Sequence, residues 1–433
     1  MNDDLMLGEE MHGWATDLWS VPRSLTGDGV RATLAYLGDR VGGIEVHEVP
    51  TGTEVLDWVV PDEWAIRGAW IEGPDGRRVV DWADCNLHVV GYSTAVDAVL
   101  TRDELEPHLH SLPAQPDAIP YVTAYYARTW GFCLAHRQRE ALGDGPFRVV
   151  IDAEHRQGSL TYGDCVIPGE TDREVLLSTY ICHPSLANNE LSGPVVMTAV
   201  ARWLQALPRR RYTYRLAWLP ETIGAIAYIA AHGDHLRRHV DAGWVLTCLG
   251  DERAYSMVAS RNGATASDRI GRAVLASRPN ATEYAFLDRG SDERQWCAPG
   301  VDLPVASIMR SKYGTYPEYH TSLDDLELVT PLGLAGGFGA VRECIERVEA
   351  ETRWQSTVAG EPQLGRRGLY PTTSFAGSAS GVKPMMDVLA YCDGAHDAEA
   401  LAERTGLQRA DVDALLDLLQ GAGLIRPVPN AAP

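Results

Sequence analysis

The sequence predicts an α/β protein: a mixed sheet flanked by helices, with an inserted small antiparallel β domain and a C-terminal winged-helix-like domain. Three observations predict it. Between residues 174 and 309, apolar runs of strand length each stop at a polar loop, and the first two of these loops lead into helix-period segments. Between Thr53 and Ser93 the pattern shortens to alternating segments separated by Gly, Pro and Asp turns. After Lys383 come three helical patterns in close succession.

In chain order, Glu9–Leu37 reads as helix on each side of a break from Pro22 to Gly29. An insertion starts near Val49, with short strands at Trp58-Val-Val, Ala69-Trp-Ile, Arg78-Val-Val-Asp-Trp and Leu87-His-Val-Val-Gly-Tyr and a turn at Gly73-Pro-Asp-Gly76. Its tryptophans Trp58, Trp64, Trp70 and Trp82 suit core packing or the wall of a cleft. Tyr121–His136 is expected to return to helix, and Phe147–Ile151 with Gly158–Tyr162 to open the main sheet. Pro371–Lys383, rich in Ser, Gly and Thr, reads as a linker. Helices over Met385–Cys392, Asp397–Thr405 and Ala410–Ala422, then Leu424-Ile-Arg-Pro, give the order of a winged helix. The expected division is 1–48 with 119–365 for a main domain, 49–118 for the insertion, and 366–433 for linker and winged helix.

Composition narrows the function classes. A chain of 433 residues exceeds one ordinary core, and 45% hydrophobic with 8% aromatic content describes a soluble protein. The net charge of −21 argues against nucleic acid and anionic membranes as partners. In the third helix of the winged unit, Asp411, Asp413 and Asp417 stand where a DNA reader needs Arg or Lys. The eight cysteines are widely spaced without a Cys-x-x-Cys pair and read as buried thiols in a reducing compartment. With no apolar run of membrane length and no leader pattern, the expected location is the cytoplasm.

The polar loops after the strands carry the chemistry. Glu174–Ile181 delivers Cys182-His183 and then Asn189-Glu190-Leu-Ser-Gly193; Tyr212–Leu219 stops at Pro220-Glu221-Thr222; Trp244–Leu249 stops at Gly250-Asp251; Val305–Met309 leads to Tyr319-His320-Thr-Ser-Leu-Asp324-Asp325. Two histidines and several carboxyl groups at strand ends match the ligands of zinc, and open α/β sheets place their sites there. Asp324 and Asp325 read as caps of the next turn.

These residues resemble the zinc aminopeptidases of the bacterial leucyl aminopeptidase and glutamate carboxypeptidase superfamily, over roughly residues 1–50 and 119–350. A closer resemblance is to bacterial aminopeptidase-like proteins with an inserted β domain and a C-terminal winged helix, through Arg23-Ser-Leu-Thr-Gly-Asp28-Gly, Asn86-Leu-His-Val-Val-Gly-Tyr92-Ser, Trp130-Gly-Phe-Cys133 and Ala187-Asn-Asn-Glu-Leu-Ser-Gly193. The resemblance implies a zinc exopeptidase-like fold and places His183 at the first histidine ligand, Asn189 at the bridging aspartate, Glu221 at the catalytic glutamate, Asp251 at a late strand-end aspartate and His320 at the last histidine. The sequence departs from that pattern at Ser185, Asn189 and Thr222, each of which stands where the family has a carboxylate. Either Glu190 supplies the missing charge, or the site holds one metal, or none; one zinc on His183, Asp251, His320 and Glu190 ranks ahead of two.

The reaction this implies is hydrolysis of an amide bond by a zinc-activated water with Glu221 as base, on a short peptide or aminoacyl-amide substrate. A noncatalytic or repurposed member of the fold, or an amide-forming tailoring enzyme, is the alternative. Asp292, Glu293, Arg294, Tyr313 and Tyr316 are the candidates for the substrate pocket, an acid for an amino group and Arg294 for a carboxylate. Self-association into a homo-oligomer is compatible with the sequence.

Overall fold

A computed structural model describes residues 3–370 and 381–428. Most of the expected linker, residues 371–380, lies outside the described residues. The chain divides into two compact units between Ile345 and Glu346.

The first unit opens with helices α1 (Asp3–Leu18) and α2 (Asp28–Val41) and an edge strand β1 (Glu45–Pro50). A smaller sheet follows from β2 (Glu63–Glu72), β3 (Arg78–Asp81), β4 (Val96–Leu100) and β5 (Phe147–Arg156), in the order β3-β2-β5-β4 and antiparallel throughout. The main sheet is then built from β6 (Ser159–Ile167), β7 (Glu174–Tyr180), helix α3 (Ser192–Ala206), β8 (Thr213–Leu219), helix α4 (Ile223–His239), β9 (Val240–Leu246), β10 (Tyr255–Val258), helix α5 (Ala266–Leu275), β11 (Ala281–Tyr284) and β12 (Val305–Met309), and helix α6 (Pro331–Ala350) closes the series. Its eight strands run in the order β1-β6-β8-β7-β9-β12-β10-β11.

Within that sheet β8, β7, β9 and β12 are mutually parallel, so their carboxyl ends finish along one edge. Every residue of β7 is buried, as a strand covered on both faces requires. Helix α4 covers the face that presents Leu176, Ala217, Leu219, Val245 and Val305, and α3 lies against β7, β8 and β9. Gly193, in the first turn of α3, allows that approach: a Cβ there would stand 2.4 Å from both the Leu246 carbonyl and the Thr179 hydroxyl.

Three sequence expectations are corrected. Phe147–Ile151 pairs with β2 and β4 in the small sheet, so the β module continues past the expected boundary at 118 to Arg156. An apolar run of strand length carries no label for the sheet it joins. Tyr121–His136 is irregular, with helix only from His136 to Glu140, because its backbone is used elsewhere: Tyr121 N donates to His320 O, and Gly91 N and Ala124 N form a two-way pairing across Val122 O and Gly91 O. In the second unit, β13 (Arg353–Ser356) joins β14 (Asp393–Asp397) and β15 (Ile425–Pro427) in one sheet, ahead of the expected start at 366. Helices α7 (Lys383–Ala390), α8 (Ala398–Thr405) and α9 (Arg409–Gly421) pack on a core of Val388, Leu401, Val412, Leu416 and Leu419. The outer face of α9 is acidic: Asp411, Asp413 and Asp417 are exposed.

The apolar centre of the small sheet, with Trp64, Val149 and Ile151, is continuous with Cys182, just past β7, and with Ile223 and Ile226 of α4. The inserted module therefore packs directly behind the strand ends that carry His183 and Glu221. Among the described residues no helix is long and apolar enough to cross a membrane. Gly193→Ala is expected to lower stability by about 1–3 kcal/mol or more through overpacking, read as a shift of the denaturant midpoint.

Candidate active site

The four parallel strand ends converge on His183, Glu221, Thr247 and the Arg310-Ser311 pair. Strand β7 is prolonged by an Ile181 N to Leu219 O bond, which sets Cys182 and His183 at the lip of the sheet. Arg23, from the connection between α1 and α2, donates to the His183 carbonyl at 2.9 Å and the Leu18 carbonyl at 2.7 Å.

A chain of alternating charges runs through this point. Arg23 Nε lies 3.6 Å from Glu190 Oε1, with both side chains fully buried. Glu190 Oε2 lies 2.8 Å from His183 Nδ1, and His183 Nε2 lies 3.6 Å from Glu221 Oε2. Ser291 Oγ donates to the other Glu221 oxygen at 3.1 Å. Of the charged groups only Glu221 reaches solvent, with 20% of its side chain exposed against 4% for His183.

Burial opposes a charge on His183, but Cys182 and Glu190 outweigh it and raise its pKa well above the ordinary value. Burial holds the Cys182 thiol itself up at about 11. Burial also raises Glu221, against the pull of His183 and Arg294. His320 goes the other way: burial, then the neighbouring His183 charge, push it down to about 3, which leaves it neutral.

Glu221 sits on a strained turn. Thr222 has φ 66° and ψ −77°, and Ile223 N donates to Glu221 O, which together define a γ-turn of the rare positive-φ kind. Asp292 holds it through Thr222 N at 2.7 Å, and Arg294 donates to the Thr222 hydroxyl at 2.5 Å. Gly224 is required behind the turn, since a Cβ would meet Pro220 Cδ at 2.7 Å. Ser185, Cys248, His320 and Tyr125 also have positive φ, so strained backbone surrounds the same pocket. Such strain persists where surrounding structure enforces it, most often at functional sites.

Ala187–Leu191 forms a turn of π-helix, a form that often marks functional sites. Asp324 clamps it, accepting from Asn188 N at 2.5 Å, Asn189 N at 3.0 Å and the Tyr316 hydroxyl at 2.9 Å. Burial pushes the Asp324 carboxyl up to about 6 in spite of these donors. Asn189 donates to Tyr180, Tyr180 meets Thr247 at 2.6 Å, and Asn189 Oδ1 stands 3.2 Å from His320 Nε2. The Tyr121 ring packs 5.1 Å from both His183 and His320.

The expected ligand set is not brought together. Thr247, the first residue after β9, is what meets Asn189. Asp251, four residues further on, turns into the protein, where Ser311 N, Ser311 Oγ, Arg253 N and Asn188 Nδ2 use both its oxygens. Glu190 Oε2 is on the Nδ1 side of His183, the side away from Glu221, and Oε1 lies against Arg23 Nε in a charge contact without a hydrogen bond. Among the described residues of this pocket, the one group of three His, Cys, Asp or Glu ligand atoms within 4.8 Å of each other is Cys182, His183 and Glu190, and Arg23 already supplies its cation. Facing the pocket remain His183 Nε2, His320 Nε2, the neutral Asn189 amide and Glu221. Among the described residues the ligand atoms of His183, His320 and Glu221 are not gathered within 4.8 Å of one another, and with Glu221 kept free as a base the donors left are two imidazoles and an amide, without the carboxylate or thiolate that completes a zinc shell.

Most of the expected substrate residues are corrected too. Glu293 is fully buried and accepts from Gly290 N, Ser291 N, Tyr313 OH and Ser307 Oγ. Tyr313 is thereby committed to Glu293, Tyr316 to Asp324, and Asp292 to the Thr222 turn from a fully buried position. Arg294 alone of the five is half-buried and electrostatically close to Glu221. Asp324 is a clamp on the 187–191 turn where a cap of the next turn was expected. Arg23, Thr247, Tyr121 and Ser291 carry parts of the site that sequence reasoning did not assign; Arg23 stood in a quoted motif but had no visible partner.

The profile of a family described as "Domain of unknown function (DUF4910)" matches residues 12–351. The chain belongs to this family. A winged helix-turn-helix profile matches residues 352–427, in keeping with β13 as part of the C-terminal unit. A family member from Clostridium acetobutylicum, named provisionally for polysaccharide biosynthesis with an aminopeptidase-like domain, is 38% identical over 432 residues, 97% of each chain. A crystal structure from the same organism, provisionally a peptidase, superposes with TM-score 0.82 at 36% identity over 98% of each chain. The zinc aminopeptidase BSAP of Bacillus subtilis shares the fold at TM-score 0.56 and 12% identity, covering 79% of this chain and 95% of its own.

Asp324→Asn, which leaves one acceptor for two backbone donors, is expected to cost about 1–3 kcal/mol of stability, measured by urea unfolding.

Proposed function

We propose that this chain acts on an amide bond of a short peptide or a small amine-bearing conjugate, with Glu221 as general base and then acid, and His183 facing it as the hydrogen-bond donor to the carbonyl oxygen. The observation that carries the reading is the approach of Glu221 Oε2 to His183 Nε2 at 3.6 Å, with Glu221 mounted on a strained γ-turn at the pocket mouth. The aminopeptidase-like fold and the placement at parallel strand ends support it.

In hydrolysis, Glu221 takes a proton from water as the new C–O bond forms. The His183 Nε2–H then donates a hydrogen bond to the carbonyl oxygen as negative charge gathers on it, with Glu190 on Nδ1 holding the ring and its charge. When the C–N bond breaks, Glu221 returns the proton to the leaving nitrogen. Arg294 is placed to pair with a substrate carboxylate. Because Glu190 and Asp251, two of the ligands expected for zinc, are committed elsewhere, the zinc-activated water is not part of this reading.

With an amine in place of water and an acyl ester or thioester as donor, the same groups form an amide: Glu221 takes a proton from the amine as the C–N bond forms and passes it to the alcohol or thiol that leaves as the C–O or C–S bond breaks. The name of the clostridial relative, which refers to polysaccharide biosynthesis, favours this as the second reading.

Two outcomes test the proposal against a panel of aminoacyl and N-acyl amides. Glu221→Gln is expected to lower turnover by about 10²–10⁴-fold with the fold intact by circular dichroism; unchanged turnover would remove Glu221 as base. The base must be ionised, and burial raises its pKa. The acid limb of kcat/KM is therefore expected to fall above the ordinary glutamate value of about 4.3. A rate independent of pH through that region would contradict the role.

A further inference from the structure

We infer that this chain works without a resident metal, and that the buried Arg23–Glu190 pair holds the His183 ring in the place a metal ion would take. The inference deepens the reading of Glu221 and His183 as the working pair, and rests on it.

The geometry that carries it is the shift of a carboxylate by one residue. The resemblance puts the bridging aspartate at position 189, whose side chain in this chain faces into the pocket toward His320 at 3.2 Å. Here that position is an amide, and the carboxylate stands at 190. On the π-helical turn, position 190 points outward, to the far side of the His183 ring, where Glu190 Oε2 meets Nδ1 at 2.8 Å and Glu190 Oε1 faces Arg23 Nε at 3.6 Å.

The two nitrogens of an imidazole point apart, so a carboxylate on Nδ1 cannot share an ion bound at Nε2. A carboxylate behind a histidine is also how metal-bound histidines are oriented; what is missing is the shell in front. Position 222 is a threonine bound by Arg294, the residue after β9 is Thr247, and Asp251 is saturated. The carboxylates expected at 189, at 222 and after β9 are thus absent from the pocket, and the one that remains, Glu221, is the base, whereas Arg23 adds a positive charge behind it.

Arg23 fills the gap. A fully buried carboxylate needs a partner, and a fully buried guanidinium needs one as well. Arg23 sits against Glu190 Oε1 and donates to the His183 carbonyl, so the carboxylate is kept on the Nδ1 side of the ring and Nε2 is left facing Glu221. In this account Arg23 and Glu190 are positioning residues, because they act through His183.

The experiment is metal content by plasma mass spectrometry of the full chain, loaded with excess zinc and desalted, for wild type, Asn189→Asp, and Asn189→Asp combined with Glu190→Asn. Circular dichroism confirms folding of each. Wild type is expected to be substoichiometric, and Asn189→Asp or the exchange variant to gain about one ion per chain, lost again on adding His183→Ala.

Wild type with about one zinc per chain, removed by His183→Ala, would overturn the inference. So would folded Asn189→Asp and exchange variants that both remain free of metal. These results are separable from the proposed function: an active, zinc-loaded wild type that loses turnover in Glu221→Gln would sink the inference and leave the role of Glu221 standing. A zinc-free protein active in Glu221→Gln would do the reverse.

Discussion

The buried contact of Glu190 with Arg23 on one side and His183 on the other is the constraint on which the rest of the site depends. It joins the connection between α1 and α2 to the end of the central strand, because Arg23 also donates to the carbonyls of Leu18 and His183. It fixes which nitrogen of His183 faces the pocket, and so defines what Glu221 meets. Removing one member would leave an uncompensated charge at zero exposure, which costs far more than an exposed pair is worth.

Around that contact the fold stores strain. Four parallel strands bring their ends together, and the residues that follow them, Thr222 and Cys248 among them, take positive φ. Buried carboxylates brace two turns at the pocket: Asp292 under the γ-turn, Asp324 under the 187–191 turn. The inserted module contributes packing behind Cys182 and Ile223, and its returning segment carries Tyr121 between the two histidines. Function here is divided between a small exposed surface, Glu221, and a large buried polar framework that aims it.

Much of this was legible in the sequence, and the limits have physical causes. The strands β7, β8, β9 and β12, the helices that follow the first two of them, and the three helices of the second unit were readable because hydrophobic period is a local property. His183 and Glu221 could be placed in one pocket because they closely follow neighbouring parallel strands, whereas His320 lies in the long loop after β12. The sheet that Phe147–Ile151 joins is a long-range pairing, and no local pattern encodes it. Asp251 misled because a carboxylate near a strand end looks the same whether it faces the pocket or, four residues on, turns into Ser311. Glu293, Tyr313 and Tyr316 misled for a related reason, since polar residues near a site serve its framework as often as its substrate. Arg23 could not be assigned because its partner lies 167 residues away, a separation fixed by the fold alone.

The central claim is that Glu190 belongs to Arg23 and that no ion sits between the two histidines. Diffraction data collected at the zinc absorption edge from crystals soaked in zinc test it most directly. The account predicts no anomalous peak among His183 Nε2, His320 Nε2 and Asn189, with Glu190 still on Arg23. A strong peak there, with Glu190 or Asp251 swung in as a ligand, would contradict it.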